Sequence, residues 1–176
     1  MADELLPILI FPDARLRQKA RPVTAADADA VRALAPRMLA SMYAAPGIGL
    51  AAPQLGELLR LVVVDLAGKD EPRAPMVLVN PEIVAVSQER EVREEGCLSL
   101  PGQYADVERP ARVKARWQEL DGTKREMEAD GLLATCLQHE VDHLDGKLFV
   151  DYLSALKRNM LLRKLAKEQK AKARED

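Results

Sequence analysis

The sequence predicts an α+β fold in which antiparallel sheets pack around a central helix, with helices at the amino-terminal end and one helix at the carboxy-terminal end. Three observations predict it. Apolar residues recur at helical spacing near the start of the chain, and this pattern stops at Pro46-Gly47. Segments rich in β-branched residues come next, and the helical spacing returns from Asp130. Strands grouped between helices are typical of the α+β class.

Length and composition predict one domain with an aliphatic core. A chain of 176 residues is long enough to bury one core and too short for two comparable domains. Hydrophobic residues make up 48% and aromatic residues only 3%, a profile that excludes disordered and fibrous proteins. We expect residues 1–156 to form the domain and residues 157–176 to form a basic helical tail attached to it.

Nothing in the sequence indicates export or a membrane span. No apolar run approaches the roughly 18 residues that a membrane helix requires. The start, MADELLPILIF, carries acids where a signal peptide carries basic residues. We therefore expect a cytoplasmic protein without membrane contact. Its two cysteines, Cys97 and Cys136, are then expected to be free thiols or metal ligands rather than a disulfide.

Two helices are predicted before the β-rich part of the chain. A short one near residues 13–20 comes after the strand-like segment LPILIF. A second begins at about Thr24, which forms a capping-box-like pair with Asp27. Pro36 predicts a kink or a displaced start in this helix. Its apolar face consists of Val31, Leu34, Met38, Leu39 and Met42.

The middle of the chain is predicted to be mainly antiparallel sheet. Residues 59–66 and 76–86 are rich in β-branched residues and bounded by Gly, Asp and Pro, so both are predicted strands. Between Val107 and Met127, Asp121-Gly122 separates two alternating segments, which is a strong hairpin pattern.

Two further helices are predicted after the sheet. The first is the central helix, which starts near Asp130 and ends at Gly146, a typical C-cap residue. The face of this helix consists of Leu132, Leu133, Cys136, Leu137, Glu140 and Leu144. The last helix covers residues 154–171, with an apolar stripe of Leu156, Met160, Leu161 and Leu165.

The charge of the tail differs from that of the rest of the chain. Residues 157–176 contain eight Lys or Arg and three acidic residues, a net charge of +5 in a chain whose total is −2. A basic end on an acidic body is suited to binding a polyanion. On charge alone a solvated helix end is the commoner explanation, so both interpretations stay open.

The sequence HEVDH at residues 139–143 contains both histidines of the chain. On a helix of about 3.6 residues per turn, side chains four positions apart project from one face, so His139 and His143 can bind the same ion. The five-residue pattern also arises by chance in unrelated helices, but here no histidine lies elsewhere. We interpret the pair as metal ligands and the central helix as a metal-binding helix.

A catalytic metal site typically has three protein ligands and one open position. Cys97 is the best candidate for the third ligand, because it ends a strand-like stretch in EEGCLS and a thiolate binds zinc or ferrous iron strongly. An isolated cysteine is more often a small buried apolar residue, and we assign that role to Cys136. Glu140 can accept a proton from a water activated by the metal, and an exposed structural acid is the alternative.

A third segment, GIGLAAPQ at residues 47–54, superficially fits the dinucleotide-binding pattern G-x-G-x-x-A. That pattern requires a strand before it and a helix after it. Here a helical pattern precedes the segment, and Pro53 interrupts any helix after it. We interpret it as a small-residue loop that a peptide backbone can approach, with Gln54 able to donate its amide NH₂ to an oxyanion.

Together, GIGLAAPQ, EGCLS and QHEVDH resemble the three signature motifs of the peptide deformylases, in the family's order and at about its separations. ILIFPDARLRQKARPV and GKLFVDYLSALKR resemble the segments before and after them, so the resemblance covers nearly the whole chain up to the tail. It implies a metal-dependent hydrolase that removes the formyl group from the formylmethionine at the start of nascent polypeptides and releases formate.

The resemblance also implies site roles. The metal ligands would be Cys97, His139 and His143. Glu140 would be the catalytic acid and base. Gln54 and the backbone N–H of Leu98 would polarise the formyl oxygen and stabilise the tetrahedral intermediate.

For the substrate, the resemblance implies that Gly49 meets the peptide backbone. The pocket for the methionine side chain would be bordered by Ile48, Leu132, Cys136 and His139. Tyr104 stands where other members have an arginine that helps bind the peptide. This departure concerns only how the substrate beyond methionine is held.

The resemblance further implies a cofactor and a partner. Family members work best with ferrous iron, so one Fe²⁺ per chain is expected, with Zn²⁺, Ni²⁺ or Co²⁺ able to substitute. Relatives use a carboxy-terminal helix to dock on the ribosome. The tail at residues 157–176 is therefore expected to bind rRNA or a ribosomal protein surface near the exit of the nascent chain.

Two other functions fit parts of the sequence. A metalloprotease has the same helical pattern, but its third ligand usually lies after the second histidine, where no histidine remains and Glu168 lies in the basic tail. A ribosome-associated metal protein without catalysis would be favoured if Glu140 or Gln54 were replaced. Both residues are present.

Overall fold

The computed structural model of the protein describes residues 4–175. Residues 1–3 and 176 lie outside the described residues, and with them part of the acidic start and the last acid of the tail. The α-helices in the described range are α1 (Ala28–Ala44), α2 (Gly131–Leu144) and α3 (Ala155–Glu175). No helix among residues 4–175 has the length and apolar character needed to cross a membrane.

Seven strands form two antiparallel sheets in the described part of the chain. The larger sheet has the order β1-β2-β3-β6-β7, and the smaller sheet pairs β4 with β5. The strands are β1 (Gly49–Ala51), β2 (Leu61–Val64), β3 (Met76–Val86), β4 (Arg90–Cys97), β5 (Leu100–Pro110), β6 (Val113–Gln118) and β7 (Lys124–Ala129). The predicted α+β class with antiparallel sheets is confirmed.

Strand β2 is buried on both faces because a helix covers each side of the larger sheet. All four of its side chains are buried. Successive side chains of a strand point to opposite faces. Val62 and Val64 accordingly pack with α2 in one apolar cluster, and Leu61 and Val63 pack with α1 in another. Helix α2 thus lies against the sheet that it was predicted to pack on.

A third apolar cluster joins α3 to the smaller sheet. Its buried members are Leu100, Val107, Leu148, Phe149, Val150 and Leu165. Leu165 is the buried side chain of α3, and its neighbours in this cluster come from β5 and from the segment after α2. Helix α3 is continuous across residue 157, so the basic tail is joined to the body by the apolar side of the same helix.

The structure differs from the sequence prediction near the amino terminus. The segment LPILIF forms no strand. The N–H groups of Leu9 and Phe11 donate to the backbone oxygens of Gln54 and Ser99, and the segment has no ladder with a neighbouring strand. The helix expected near residues 13–20 is a single 3₁₀ turn, Ala14–Arg17, whose first turn is capped by the Asp13 side chain. Apolar composition alone does not show whether a segment only packs against the rest of the protein or also pairs with another strand in a sheet.

Helix α1 also differs in one respect from its prediction. It runs through Pro36, so its start is not displaced to that residue. The 3₁₀ turn Ala25–Asp27 precedes it, and the N–H of Thr24 donates to Asp27 Oδ2 at 2.8 Å, as the predicted capping box requires.

The other elements lie close to their predicted positions. Strand β3 matches residues 76–86, whereas β2 covers only the middle of residues 59–66. The Asp121-Gly122 turn joins β6 to β7, with a φ of 88° at Gly122. The last helix continues past residue 171 to Glu175. The β4–β5 hairpin was not predicted, apart from the strand-like stretch before the Cys97 position.

Candidate active site

A thiol and two imidazoles meet between the smaller sheet and α2. Cys97 is the last residue of β4, and His139 and His143 project from one face of α2. Their ligand atoms all lie within 4.8 Å of one another, and Cys97 Sγ is 3.3 Å from His143 Nε2. The helical spacing of four residues brings the imidazoles together, and the end of β4 brings the thiol to them.

These three side chains fit a metal ion. Both histidines are buried, and Cys97 is half-buried. Burial lowers the pKa of His143 well below its ordinary value, which favours the neutral imidazole that a metal ligand needs. Burial also lowers the pKa of His139, but its hydrogen bonds with Cys97 and Glu95 outweigh this effect and raise that pKa, so a metal bound there would displace a proton. One thiolate with two imidazoles is a donor set that suits zinc or ferrous iron and leaves a coordination position open. The residues could therefore hold a catalytic metal.

A buried carboxylate orients the first histidine. Nδ1 of His139 is 2.9 Å from Glu95 Oε1, which leaves Nε2 for the metal. Burial raises the pKa of Glu95, but its hydrogen bonds from His139 and Arg109 outweigh this effect and bring the pKa below its usual value. Phe149 stacks on the His139 ring, with 6.2 Å between the ring centroids. Glu95 lies two residues before Cys97 on β4. Because side chains two residues apart in a strand point to the same face, the sequence could have indicated that Glu95 lies near Cys97.

Glu140 lies beside the same three side chains. It is buried, its Oε1 is 3.7 Å from His139 Nε2, and its Oε2 has no hydrogen-bond partner among the described residues. Burial raises its pKa to about 7. A carboxyl group with a pKa near the working pH can both accept and return a proton.

Gln54 is held from both ends of its amide. The backbone N–H of Ala51 donates to Gln54 Oε1 at 2.9 Å, and Gln54 Nε2 donates to Ser99 Oγ at 3.1 Å. Nε2 is also 3.5 Å from Cys97 Sγ. The NH₂ group therefore faces the site, and Leu98, the residue after Cys97, lines the same cleft.

A cleft of about 530 Å³ opens beside these residues. Among its lining residues are Ile48, Gly49, Tyr104, Leu132 and Cys136, all of which the family resemblance places at the substrate. A Cβ atom added to Gly49 would lie 2.9 Å from Cys136 Sγ and 3.1 Å from the Glu140 side chain, so no side chain fits there. The structure thus brings every predicted substrate residue to one cleft.

The buried Arg109 pairs with the half-buried Asp142, an ion pair that the sequence did not indicate. Arg109 of β5 donates to Glu95 from Nε at 2.6 Å and from Nη2 at 2.9 Å, and its Nη1 donates to Asp142 at 2.9 Å. These contacts join strands β4 and β5 to helix α2. Because no local pattern in the chain relates the three residues, only the tertiary fold reveals their association.

A thiol, two imidazoles and a carboxyl group of raised pKa lie together beside a cleft, an arrangement typical of metal-dependent hydrolases. The sequence model of the polypeptide deformylase family matches residues 5–159. The chain belongs to this family.

Individual relatives agree with the family match. The peptide deformylase of Mesorhizobium japonicum is 56% identical over 167 residues, which cover 95% of this chain and 94% of the relative. That of Brucella suis is 55% identical over 161 residues, covering 92% and 91%.

Solved structures agree as well. A peptide deformylase from Legionella pneumophila superposes with a TM-score of 0.90 at 47% identity, covering 97% of this chain and 99% of that one. A peptide deformylase from Synechococcus elongatus, in complex with actinonin, superposes with a TM-score of 0.86 at 45% identity, covering 93% and 89%.

Proposed function

We propose that Cys97, His139 and His143 bind the metal with which this deformylase removes the N-formyl group from formylmethionine at the start of nascent polypeptides. Formate is the second product. One observation carries the assignment: the three ligand atoms lie within 4.8 Å of one another, beside the buried Glu140 carboxyl group. In a member of the deformylase family, this arrangement supports amide hydrolysis and not a binding role alone.

The shape of the cleft supports an extended peptide as the substrate. Strand β1 is at the end of the strand order in the larger sheet, and its Gly49 lines the cleft. An extended peptide can pair with such a strand through main-chain hydrogen bonds. Because Gly49 has no side chain, the substrate backbone can approach the site closely. Ile48, Leu132 and Cys136 offer an apolar wall for the methionine side chain.

The proposed chemistry divides between the metal and the protein. A bound divalent metal lowers the pKa of water and polarises a carbonyl oxygen. Glu140 accepts the proton of the attacking water and returns it to the leaving amine, for which its pKa of about 7 is suited. Gln54 Nε2 and the backbone N–H of Leu98 donate hydrogen bonds to the formyl oxygen as negative charge develops on it.

Fe²⁺ is the proposed physiological metal, with one ion per chain. A thiolate and two imidazoles also bind Zn²⁺, Ni²⁺ and Co²⁺, so these ions are expected to substitute with different activities. Because the substrate is the polypeptide that leaves a translating ribosome, we assign the enzyme to the cytoplasm.

The basic tail is the proposed docking element for the ribosome. Its lysines and arginines are exposed, except for the half-buried Arg158. Leu161 and Leu165 of the same helix face the third apolar cluster, which turns the charged side outward. A net charge of +5 over residues 157–176 is suited to a surface of RNA phosphate, and such binding weakens steeply with salt.

Formate release tests the activity and the ligand set together. Protein prepared without oxygen and loaded with iron is expected to release formate from formyl-Met-Ala-Ser. Cys97→Ser should lose both metal and activity, because a hydroxyl is a far poorer ligand at neutral pH. Cys136→Ser is the matched control and should keep its metal. The proposal fails if iron-loaded protein releases no formate. It also fails if Cys136→Ser loses its metal while Cys97→Ser keeps it.

Ribosome docking is tested without disturbing the fold. The exposed basic residues to replace by glutamine are Lys157, Arg163, Lys164, Lys167, Lys170, Lys172 and Arg174. The variant should cleave free formyl-Met peptides at the wild-type rate and sediment poorly with ribosomes. A second variant that exchanges lysine and arginine at the same positions keeps the charge and should sediment normally. If the glutamine variant sediments as well as the wild type, the tail is only a solvated helix end.

A further inference from the structure

We propose that Asp142 and Tyr152 are positioning residues for the metal centre, acting on His139 through Arg109 and Glu95. This inference rests on the proposed role of His139 as a metal ligand. It concerns a chain of contacts that leads from the metal site to a separate cavity on the surface.

The inner part of this chain consists of two buried charges. Glu95 Oε1 is 2.9 Å from His139 Nδ1, and the same carboxylate accepts two hydrogen bonds from Arg109. The side chains of Glu95 and Arg109 are 4% and 5% exposed. A carboxylate held by two parallel N–H groups cannot rotate freely. Arg109 therefore sets the plane of Glu95, and Glu95 sets the orientation of the His139 ring.

The outer part holds Arg109 from its other end. Arg109 Nη1 donates to Asp142 Oδ2 at 2.9 Å, and the hydroxyl of Tyr152 donates to the same oxygen at 2.6 Å. The Arg109 guanidinium also lies 4.6 Å from the centroid of the Tyr152 ring. The planar guanidinium is thus fixed by a carboxylate at each end and by a ring against its face.

The outer pair is placed to influence the metal without touching the substrate. Asp142 lies three residues after His139 on α2, so it connects Arg109 of β5 to the helix that presents the proposed ligand. Asp142 and Tyr152 line a cavity of about 450 Å³ that shares no lining residue with the substrate cleft. A change at this pair should therefore reach the reaction through the metal and not through the cleft.

Cobalt-loaded enzyme offers readouts besides activity. The visible absorption bands of Co²⁺ report its ligand geometry, and transfer of Co²⁺ to a chelator reports how firmly it is held. Replacing a residue that hydrogen-bonds a metal ligand typically lowers metal affinity or activity by about 10- to 100-fold. We expect Asp142→Asn to speed cobalt release about tenfold and Tyr152→Phe to speed it several-fold. Both should shift the absorption bands and lower kcat, while KM stays at the wild-type value.

Tyr43→Phe is the matched control. Tyr43 donates from its hydroxyl to Asp65 at 2.5 Å, so this variant loses a bond of the same kind that is not connected to His139. It should leave the cobalt bands and the release rate unchanged. If all three variants keep the wild-type bands and release rate, or if Asp142→Asn and Tyr152→Phe only lower the thermal midpoint, the pair is merely structural and the inference is wrong.

A double variant tests whether Tyr152 acts through Asp142. If it does, Tyr152→Phe should have little further effect in the Asp142→Asn background, whereas independent effects would multiply and overturn the chain of contacts. His139→Ala separates this inference from the ligand assignment. Retention of cobalt in His139→Ala would refute the assignment itself. If His139→Ala loses cobalt while Asp142→Asn and Tyr152→Phe keep the wild-type absorption bands, only the positioning role is refuted.

Discussion

Gln54 donates a hydrogen bond from Nε2 to the Oγ of Ser99 across 3.1 Å, and both side chains are almost completely buried. The opposite end of the amide accepts from the Ala51 N–H. A flipped amide would place Oε1 against Ser99 and Nε2 against a backbone N–H, which would leave two donors facing each other. The orientation of the Gln54 NH₂ group toward Cys97 is therefore fixed before any substrate arrives.

Ser99→Ala should lower kcat about tenfold with little change in KM. Removing an oxyanion donor outright costs about 10²–10³ in kcat, whereas this variant only frees Gln54, the proposed donor, to rotate. Gln54→Ala removes the amide altogether and gives the full loss of kcat for comparison. Steady-state kinetics on a formyl-Met peptide measures kcat and KM of both variants. An unchanged kcat in Ser99→Ala would mean that Ala51 alone is enough to orient the amide.

Gly49→Ala should keep its metal and lose at least about tenfold in kcat/KM, because small displacements of reacting groups are costly to the rate. The added methyl group would lie 2.9 Å from Cys136 Sγ and 3.1 Å from Glu140, so the carboxyl group or the peptide must shift. Gly68→Ala is the control, since its new methyl group meets only the flexible end of Glu71. Equal kinetics for the two variants would show that the cleft tolerates the methyl group.

Glu140→Gln should bind metal as the wild type does and lose at least about a hundredfold in kcat, the lower end for a general base. The amide has nearly the same shape but cannot accept the proton. Glu94→Gln is the control, because Glu94 lines the same cleft but belongs to neither the ligand set nor the buried carboxyl groups. Metal content and single-turnover rates check both variants. A Glu140→Gln enzyme of normal rate would assign the proton transfer to another group.

Leu165→Ala should destabilise the fold by about 2–5 kcal/mol, as removal of a fully buried leucine commonly does. Leu165 is 1% exposed, whereas Met160 on the same helix is 62% exposed. Met160→Ala should therefore change the free energy of unfolding very little. Urea denaturation monitored by circular dichroism measures the free energy of unfolding of both variants. Similar values would mean that α3 is not anchored to the body through Leu165.

The sequence predicts best the features that depend on local geometry. The spacing of His139 and His143 determines that they share a helix face, and the turn at Asp121-Gly122 determines a hairpin. By contrast, LPILIF has strand-like composition but no partner strand, and the charge-rich β4 is recognised only as a strand-like stretch before Cys97, without its partner β5. Whether a strand forms depends on its partner, which a local pattern does not contain.

The same limit applies to the candidate site. The motifs contain the proposed metal-site residues, Gln54 and Gly49, because each motif is continuous in the chain. Tyr104, Leu132 and Cys136 lie outside the motifs, and their substrate roles come from the family resemblance. The sequence could have predicted that Glu95 lies at the site, since Glu95 shares a strand face with Cys97. It could not have predicted the places of Arg109 and Tyr152, because only the packing of β5 and of the segment after α2 brings these residues to their neighbours.

Phe149 stacks on His139 and belongs to the apolar cluster that Leu165 completes. Because a residue of α3 thus completes the packing behind a proposed metal ligand, we expect the site to be finished only after the last helix has folded. A chain that ends before α3 contains all three proposed ligands, yet we expect it to hold a metal less firmly than the whole chain does.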